Sequence, residues 1–440
     1  MSEKGYKTFK GGVHPPYNKE LAAGKAIVQA PIPAELVIPL QQHIGAPNNP
    51  VVSVGDKVTV GQKIGDAEAF VSAPVHASVA GTVKAVEKVA SFTGQMVNSV
   101  IITPEATQPV FTGTQRNVAG LSADDIRKIA REAGLVGMGG AAFPTHIKLT
   151  PPKDKPVDTV IINGCECEPF LTCDHRQMLE RPSDIVEGLK LLVRGVEAKI
   201  GIIGVEANKM DAVEKLRSAV SAEPSLEVEI LDVKYPEGSE KQLISAVTGR
   251  KVPPGKLPSE VGCLVQNVGT AIALHEAASM GKPLYERVLT VTGQGIKEPA
   301  NLLVRIGTPI SALMDFCGGV VGDAAKLVMG GPMTGWAQSE PTASVVKGTS
   351  GVVVLPAELV DVQEEHACVR CAKCVDACPM FLMPNFIVDA VQKEDWAQAE
   401  LWGALDCFEC GVCSYTCPAY IPHVQYVRDA KAEIAALKKR

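Results

Sequence analysis

Two cysteine runs near the C-terminus restrict this chain more than anything else in it. Cys368, Cys371, Cys374 and Cys378 are followed by Pro379, and Cys407, Cys410, Cys413 and Cys417 by Pro418. Three thiolates at intervals of three residues can wrap three irons of a cubane, while the fourth, turned away by the following proline, reaches a second cubane. The spacing therefore predicts two four-iron clusters with exchanged ligands: Cys368, Cys371, Cys374 and Cys417 around one, and Cys407, Cys410, Cys413 and Cys378 around the other. The alternative is a pair of structural zinc sites, but zinc is satisfied by two Cys-x-x-Cys knuckles and needs neither a third close cysteine nor the proline.

One such site does not account for 440 residues, a length that suggests about three domains. A formal charge of −6 leaves no basic face on the scale that nucleic acid demands, so a nucleic-acid partner is not expected. The first ten residues lack the apolar core of a signal peptide, and no stretch approaches the ~18 apolar residues of a membrane span. The reading is of a soluble cytosolic protein able to dock on a membrane complex. In that compartment thirteen cysteines point to metal or redox chemistry before disulfides.

Along the chain, residues 26–103 read as short strands cut by Gly and Pro, a small β domain whose two similar halves resemble lipoyl and biotinyl carrier domains. Lys84 lies inside a strand pattern and not on a hairpin tip, so the domain reads as a scaffold without a carrier lysine. Residues 122–274 alternate helices (122–133, 184–193, 209–220) with buried strands (159–163, 199–204), which argues for a mostly parallel sheet. Residues 287–337 return to short strands, with a helix near 309–316. Between the cysteine runs, Phe386, Ile387, Ala390, Val391, Trp396, Ala399 and Trp402 fall at helical spacing, and the chain ends on a basic helix.

Four motifs suggest what feeds the clusters. Residues 134–148 carry Gly134, Gly137, Gly139 and Gly140 ahead of Phe143, His146 and Lys148. A run this rich in glycine offers backbone N–H groups to an anion and lets a flat ring approach the main chain, while Lys148 can neutralise a phosphate. A plain loop before a helix is the alternative. Because a helix precedes it, the run departs from the strand-first dinucleotide fingerprint and reads as a mononucleotide cradle. With Asn163, Cys165, Glu166, Cys167 and Glu168 before Pro169, then Tyr235, Glu237, Gly238 and Glu240, then Asn267 and Thr270, it resembles the flavin and NADH site of the complex I flavoprotein subunit. Together with the N-terminal Phe9-Lys-Gly-Gly-Val-His-Pro-Pro16, the β domain and the cysteine runs, the chain resembles the C subunit of Rnf complexes, the ferredoxin:NAD⁺ oxidoreductases, over nearly its entire length.

That resemblance implies a multidomain α/β plus α+β architecture: a barrel-sandwich-like β domain (1–110), a parallel-sheet FMN/NADH domain (111–285), a β-grasp-like SLBB module (286–345) and an α-helical ferredoxin domain with two [4Fe-4S] clusters (346–440). It implies non-covalent FMN and NAD(H) in one pocket, with Gly137, Gly139, Gly140 and Lys148 cradling the flavin phosphate and ring. Asn163, Glu166, Gly238, Asn267 and Thr270 hold the ribityl chain and isoalloxazine, Phe143 stacks on NADH, and Glu168 and Glu240 bind its hydroxyls or carboxamide. Met138 stands where the complex I loop has arginine, and Cys165 where it has aspartate. The implied role is hydride exchange between NAD(H) and FMN with single electrons passing through the clusters, and no side chain is needed as catalytic acid or base. Implied partners are the other subunits of a membrane Rnf complex and, through an iron–sulfur partner subunit, ferredoxin, with the chain peripheral on the cytoplasmic face of the membrane. A flavin cobalamin reductase of the propanediol-utilisation type and a non-catalytic relay or docking subunit are the rival readings. Cys165, Cys167 and Cys173, with His175 near in sequence, fit no standard metal spacing and read as buried or flavin-adjacent thiols, while Cys263 and Cys317 read as core.

Overall fold

The protein's structure, a computed structural model, describes residues 5–360 and 363–438. Its first strand, β1 (Ile27–Gln29), joins a sheet far along the chain, and the β domain proper follows. There β2 (Leu36–Pro39), β3 (Asn49–Pro50), β4 (Lys57–Val58), β5 (Lys63–Asp66), β6 (Val75–His76), β7 (Gly81–Ala90) and β8 (Met96–Pro104) form two small sheets, ordered β2-β8-β7-β4 and β3-β5-β6. Alternation closes them on a shared core: Leu36, Ile38, Ile64, Val75, Val83, Val100 and Ile102 are buried. Lys84 sits within β7 and pairs with Glu35.

The second module opens with α1 (Ala123–Glu132), whose start is set by Ser122 and Asp125. The Asp125 N–H donates to Ser122 Oγ and the Asp125 carboxylate accepts from the Ser122 N–H, a reciprocal cap. After α2 (Thr145–Lys148) come β9 (Thr159–Gly164), α3 (Cys173–Glu180), α4 (Pro182–Gly195), β10 (Ile200–Glu206), α5 (Met210–Val220), β11 (Leu226–Leu231), α6 (Glu240–Thr248), β12 (Cys263–Asn267) and α7 (Val268–Met280). The sheet is wholly parallel in the order β11-β10-β9-β12. Val160, Ile161 and Ile162 are all buried, as expected of a strand covered on both faces. Helices α4 and α7 touch backbone to backbone at Gly188, where a Cβ would run into the Ala271 carbonyl. From β9 the chain moves outward to β10 and β11 and returns to β12 on β9's other side. A crevice therefore opens at the C-terminal ends of β9 and β12.

The third module comprises β13 (Glu286–Thr292), β14 (Ala300–Arg305), α8 (Ile310–Phe316), β15 (Ala324–Met329), β16 (Trp336–Gln338) and β17 (Gly351–Pro356). Its six-stranded sheet runs β1-β14-β13-β17-β15-β16. Two strands lie outside the span that the sequence suggested for this module. β17 falls in the stretch assigned to the cysteine domain, yet it is buried between β13 and β15, and a short apolar run of this kind cannot be distinguished from a linker until its partners are known. β1 comes from the opposite end of the chain. The last module is helical, with α9 (Lys373–Ala377), α10 (Pro384–Gln392), α11 (Trp396–Leu401), α12 (Val412–Tyr415) and α13 (His423–Leu437) around Ile387, Val391, Ala399, Val427 and Ile434.

The N-terminal segment straps these modules together. Lys7 bridges Leu231, Val13 bridges Tyr235, the Gly12 N–H donates to the Ala377 carbonyl at 2.8 Å, and β1 then completes the third sheet. A second tie is Lys347, whose fully buried ammonium donates to the carbonyls of Pro74 (2.6 Å) and Gly134 (2.7 Å), joining the first three modules. Burial, with Arg131 nearby, pushes Lys347 down to about 7. The unfolded chain therefore binds more protons than the folded one between pH 7 and about 10, so this group's contribution to stability rises across that window and is lost as pH falls to 7. Lys347→Met removes the titration, so the stability gap between wild type and variant is expected to change by a few kcal/mol between pH 7 and 10 in urea unfolding. A gap that stays constant with pH would show that Lys347 titrates normally in the fold.

Candidate functional site

The two cysteine loops have the same backbone. Arg370 and Ala372 take left-handed φ values of 54° and 62° between the thiols of the first run, and Glu409 and Gly411 take 61° and 79° at the matching positions of the second. Phe381 and Tyr420, three residues beyond the fourth cysteines, repeat the correspondence at 57° and 53°. Such conformations are costly for residues other than glycine and persist where surrounding structure enforces them, as at a ligand clamp. Here they curl each loop around a cavity. One cavity is lined by Cys378, Cys407, Cys410 and Cys413. The other is lined by Cys368, Cys371, Cys374 and Cys417. The fourth cysteine of each run thus faces the other run's cavity, in the exchanged arrangement expected from spacing.

The donor set fits a metal centre. Burial pushes Cys410 up to about 12, with the Cys407 and Cys378 sulfurs adding to the shift, and Cys413 is pushed up by burial and by the same neighbours. Sulfurs held this close out of water cannot all ionise unless cations sit among them, which iron supplies. The second loop is braced from outside: Glu409 pairs with Arg428 (2.8 Å) and Lys431 (2.6 Å), and Lys431 also donates to the Cys407 carbonyl.

The crevice gathers most of the predicted flavin residues. Asn163 and Asn267 are register partners at the ends of β9 and β12. Asn163 Nδ2 donates to the Gly238 carbonyl at 2.7 Å, and Asn267 Oδ1 caps α7 by accepting from the Gly269 N–H. The glycine loop closes on itself through the Gly137 N–H and the Phe143 carbonyl (2.9 Å), leaving Gly139 and Gly140 exposed at its tip. Thr270 anchors the loop, accepting from the Met138 N–H at 3.0 Å and donating to the Val136 carbonyl at 3.1 Å. Met138 itself is buried in the core, so this position lends the crevice its backbone only. Gly139 lies against Asn267, where a Cβ would stand 2.6 Å from Nδ2. Lys148 pairs with Glu240, the first residue of α6, at 2.7 Å and donates to the Val265 carbonyl. The N-termini of α6 and α7, exposed glycines and an ammonium form a fitting cradle for a phosphate-bearing ligand.

Two predicted residues are engaged elsewhere. Glu166 accepts from the N–H groups of Asp174 (2.7 Å) and His175 (3.2 Å) at the start of α3. Glu168 accepts from the N–H groups of Met333 (3.0 Å) and Thr334 (2.9 Å) and from the Thr334 hydroxyl, all in the third module. Cys165, Cys167 and Cys173 are buried, and burial pushes each thiol up. His175 pairs with Asp211 at 2.9 Å. Cys263 and Cys317 are buried as expected.

Sequence patterns gave no supporting role to the residues that brace the crevice, although Tyr235 falls within one of the motifs. Buried Lys19 donates to three carbonyls of the loop after β9, those of Glu166 (2.7 Å), Glu168 (2.9 Å) and Leu171 (2.6 Å). Asp174 accepts from Asn267 Nδ2 at 2.7 Å, and burial, with Glu166 adding, pushes it up to about 7. Tyr235 Oη donates to the Cys410 carbonyl at 2.7 Å, and Gln242 Nε2 to the Pro379 carbonyl at 3.0 Å. The last two bind the crevice module to the loops around the Cys378, Cys407, Cys410 and Cys413 cavity.

Fold and site together define a flavin iron–sulfur protein. Residues 7–107 match the RnfC barrel sandwich hybrid domain, 130–276 the Nuo51 FMN-binding domain, 288–337 the SLBB domain and 361–418 a 4Fe-4S dicluster domain. FMN and two [4Fe-4S] clusters are its cofactors. The chain is 45% identical, over 98% of both chains, to the C subunit of the Na⁺-translocating ferredoxin:NAD⁺ oxidoreductase complex of Acetobacterium woodii. It is 45% identical to the proton-translocating counterpart of Clostridium ljungdahlii, covering 99% of this chain and 95% of that one. The C subunit of the ion-translocating oxidoreductase complex of Rhodobacter capsulatus is 37% identical, with 98% and 84% covered. This chain belongs to the RnfC family, the C subunits of ion-translocating oxidoreductase complexes. Among solved structures, an NAD⁺-reducing [NiFe]-hydrogenase shares the fold at 19% identity with a TM-score of 0.51, over 72% of this chain and 62% of that one.

The exchanged ligation has a direct check. The cluster spectrum left in Cys378→Ala, read by low-temperature EPR of reduced protein, is expected to match that of Cys407→Ala and to differ from that of Cys371→Ala; the opposite match would refute it. At the crevice, Gly139→Ala drives a methyl group into Asn267, and FMN affinity measured by flavin fluorescence is expected to fall at least about tenfold, ~1.4 kcal/mol.

Proposed function

We propose that this chain is the NAD(H)-reactive flavin and iron–sulfur subunit of an ion-translocating ferredoxin:NAD⁺ oxidoreductase complex. FMN, when bound, supplies the conversion between the paired electrons of a hydride and the single electrons that clusters carry. The residues of the chain hold and orient. Gly137, Gly139 and Gly140 give backbone access, Lys148 meets the phosphate, and Asn163, Gly238, Asn267 and Thr270 line the flavin's place. Glu166 supports it from the start of α3, Phe143 offers a face for the nicotinamide nucleotide, and Glu240 a carboxylate for its polar groups.

The observation that carries this reading is the contact between crevice and cluster loops. Tyr235, in the motif that includes Gly238 and Glu240, bonds to Cys410, and Cys167, Tyr235, Cys410 and Val412 share one apolar cluster. The quartet of Cys378, Cys407, Cys410 and Cys413 is therefore the one next to the crevice. At the other quartet, Cys368 and Cys371 are exposed beside exposed Val369, a surface suited to an iron–sulfur partner subunit that relays electrons with ferredoxin. No helix among the described residues is long and apolar enough to cross a membrane. Attachment through other subunits, on the cytoplasmic face, follows from this reading. Similarity over the full length of the RnfC relatives favours it over a cobalamin reductase or a bare relay.

Protein loaded with FMN, iron and sulfide under anaerobic conditions is expected to lose flavin absorbance on addition of NADH. If FMN is present and NADH leaves the spectrum unchanged, only a relay role survives. Glu240→Gln is expected to raise the KM for NADH about tenfold, ~1.4 kcal/mol, with FMN content retained.

A further inference from the structure

The hairpin tip between β15 and β16 meets both the crevice loop and the cluster loop. On one side Glu168 receives three hydrogen bonds from Met333 and Thr334. Gly331 lies so close to that carboxylate that a Cβ there would overlap it. On the other side the Met333 carbonyl lies beneath Gly411, where a Cβ would stand 2.9 Å from it, and the Met333 side chain packs with Cys167, Tyr235 and Cys410. The tip keeps its shape through the Gly335 N–H to Gly331 carbonyl bond of 2.8 Å, and Trp336 just beyond it stacks beneath Arg428, which is paired with Glu409 of the same cluster loop. The tip is thus fixed at both ends, by Glu168 on the crevice side and by residues 409–411 on the cluster side.

We propose that this tip is a strut that sets the spacing between the flavin crevice and the cluster of Cys378, Cys407, Cys410 and Cys413, and that Glu168 is a positioning residue for electron exchange and not a ligand of NAD(H). The inference rests on the function proposed above. In that reaction one NADH becomes NAD⁺ with release of one proton, and two clusters each gain one electron. Electron exchange slows with every increase in the separation of donor and acceptor, so a shift of the tip acts on it even though neither site is itself altered. Both carboxylate oxygens of Glu168 accept backbone N–H groups, so an amide in its place must turn an NH₂ towards one of those donors and loosen the tip.

The test uses full-length protein holding FMN and both clusters. Gly331→Ala and Thr334→Val, which disturb the anchor without touching the crevice, are expected to leave the KM of NADH-dependent flavin bleaching within twofold. Both are expected to slow cluster reduction, followed after rapid mixing, severalfold for Gly331→Ala and less for Thr334→Val. Glu168→Gln is expected to show the same split. Hydrogen exchange supplies a readout independent of turnover: the Met333 and Thr334 amides are expected to be protected in wild type and exposed in Glu168→Gln. Should Gly331→Ala fail to fold, Thr334→Val carries the comparison. A raised KM for NADH in Glu168→Gln, with cluster reduction as fast as in wild type, would make Glu168 a nucleotide ligand and overturn the strut. Equal amide exchange in the two proteins would also overturn it, whereas wild-type flavin that NADH cannot bleach counts against the proposed function and leaves the exchange result standing.

Discussion

Sulfurs crowded together need positive charge among them, and the C-terminal module is organised around that requirement. Each cavity takes three cysteines from one run and the fourth from the other, so neither loop can be completed alone. The exchange forces the segments near 378 and 417 together and leaves the intervening helices, α10 and α11, to close a small core over them. Left-handed backbone at Arg370, Ala372 and Glu409 is the local strain that this closure holds in place.

The same arrangement brings the inner quartet against the flavin crevice. The crevice exists because the strand order reverses at β9, which leaves the C-terminal ends of β9 and β12 open between outgoing chains. Asn163 and Asn267 lie opposite each other there by register, and the glycine loop reaches over them. Residues 235–242 then connect the two centres, with Tyr235 on Cys410 and Gln242 on Pro379. A flavin site and a cluster site are thereby held side by side, with the more exposed quartet on the far side of the inner one's contacts.

Elements with a strong local pattern are legible in the amino-acid order itself. Helix α1 follows from Ser122 and Asp125, β9 from its run of aliphatics, and the grouping of the eight cysteines about two cavities from three-residue spacing with terminal prolines. Contacts that cross modules leave no such trace. Lys19 is an ordinary lysine in sequence, and only the fold shows its ammonium among three carbonyls about 150 positions away. Glu168 sits in a motif that resembles a nucleotide site, yet its oxygens meet the Met333–Thr334 amides, because the hairpin tip reaches that loop only once both sheets are formed.

The chain's own order of residues determined which chemistry it can hold, since ligand spacing, glycine placement and apolar periodicity act over a few residues and are the same in any context. Tertiary structure decided how those parts face one another: β1 and β17 completing one sheet, the N-terminal strap, the buried ammonium of Lys347, and the tip between crevice and cluster. Those outcomes depend on burial and on hydrogen-bond partners hundreds of residues apart, and a donor's partner is undefined until the chain has folded around it.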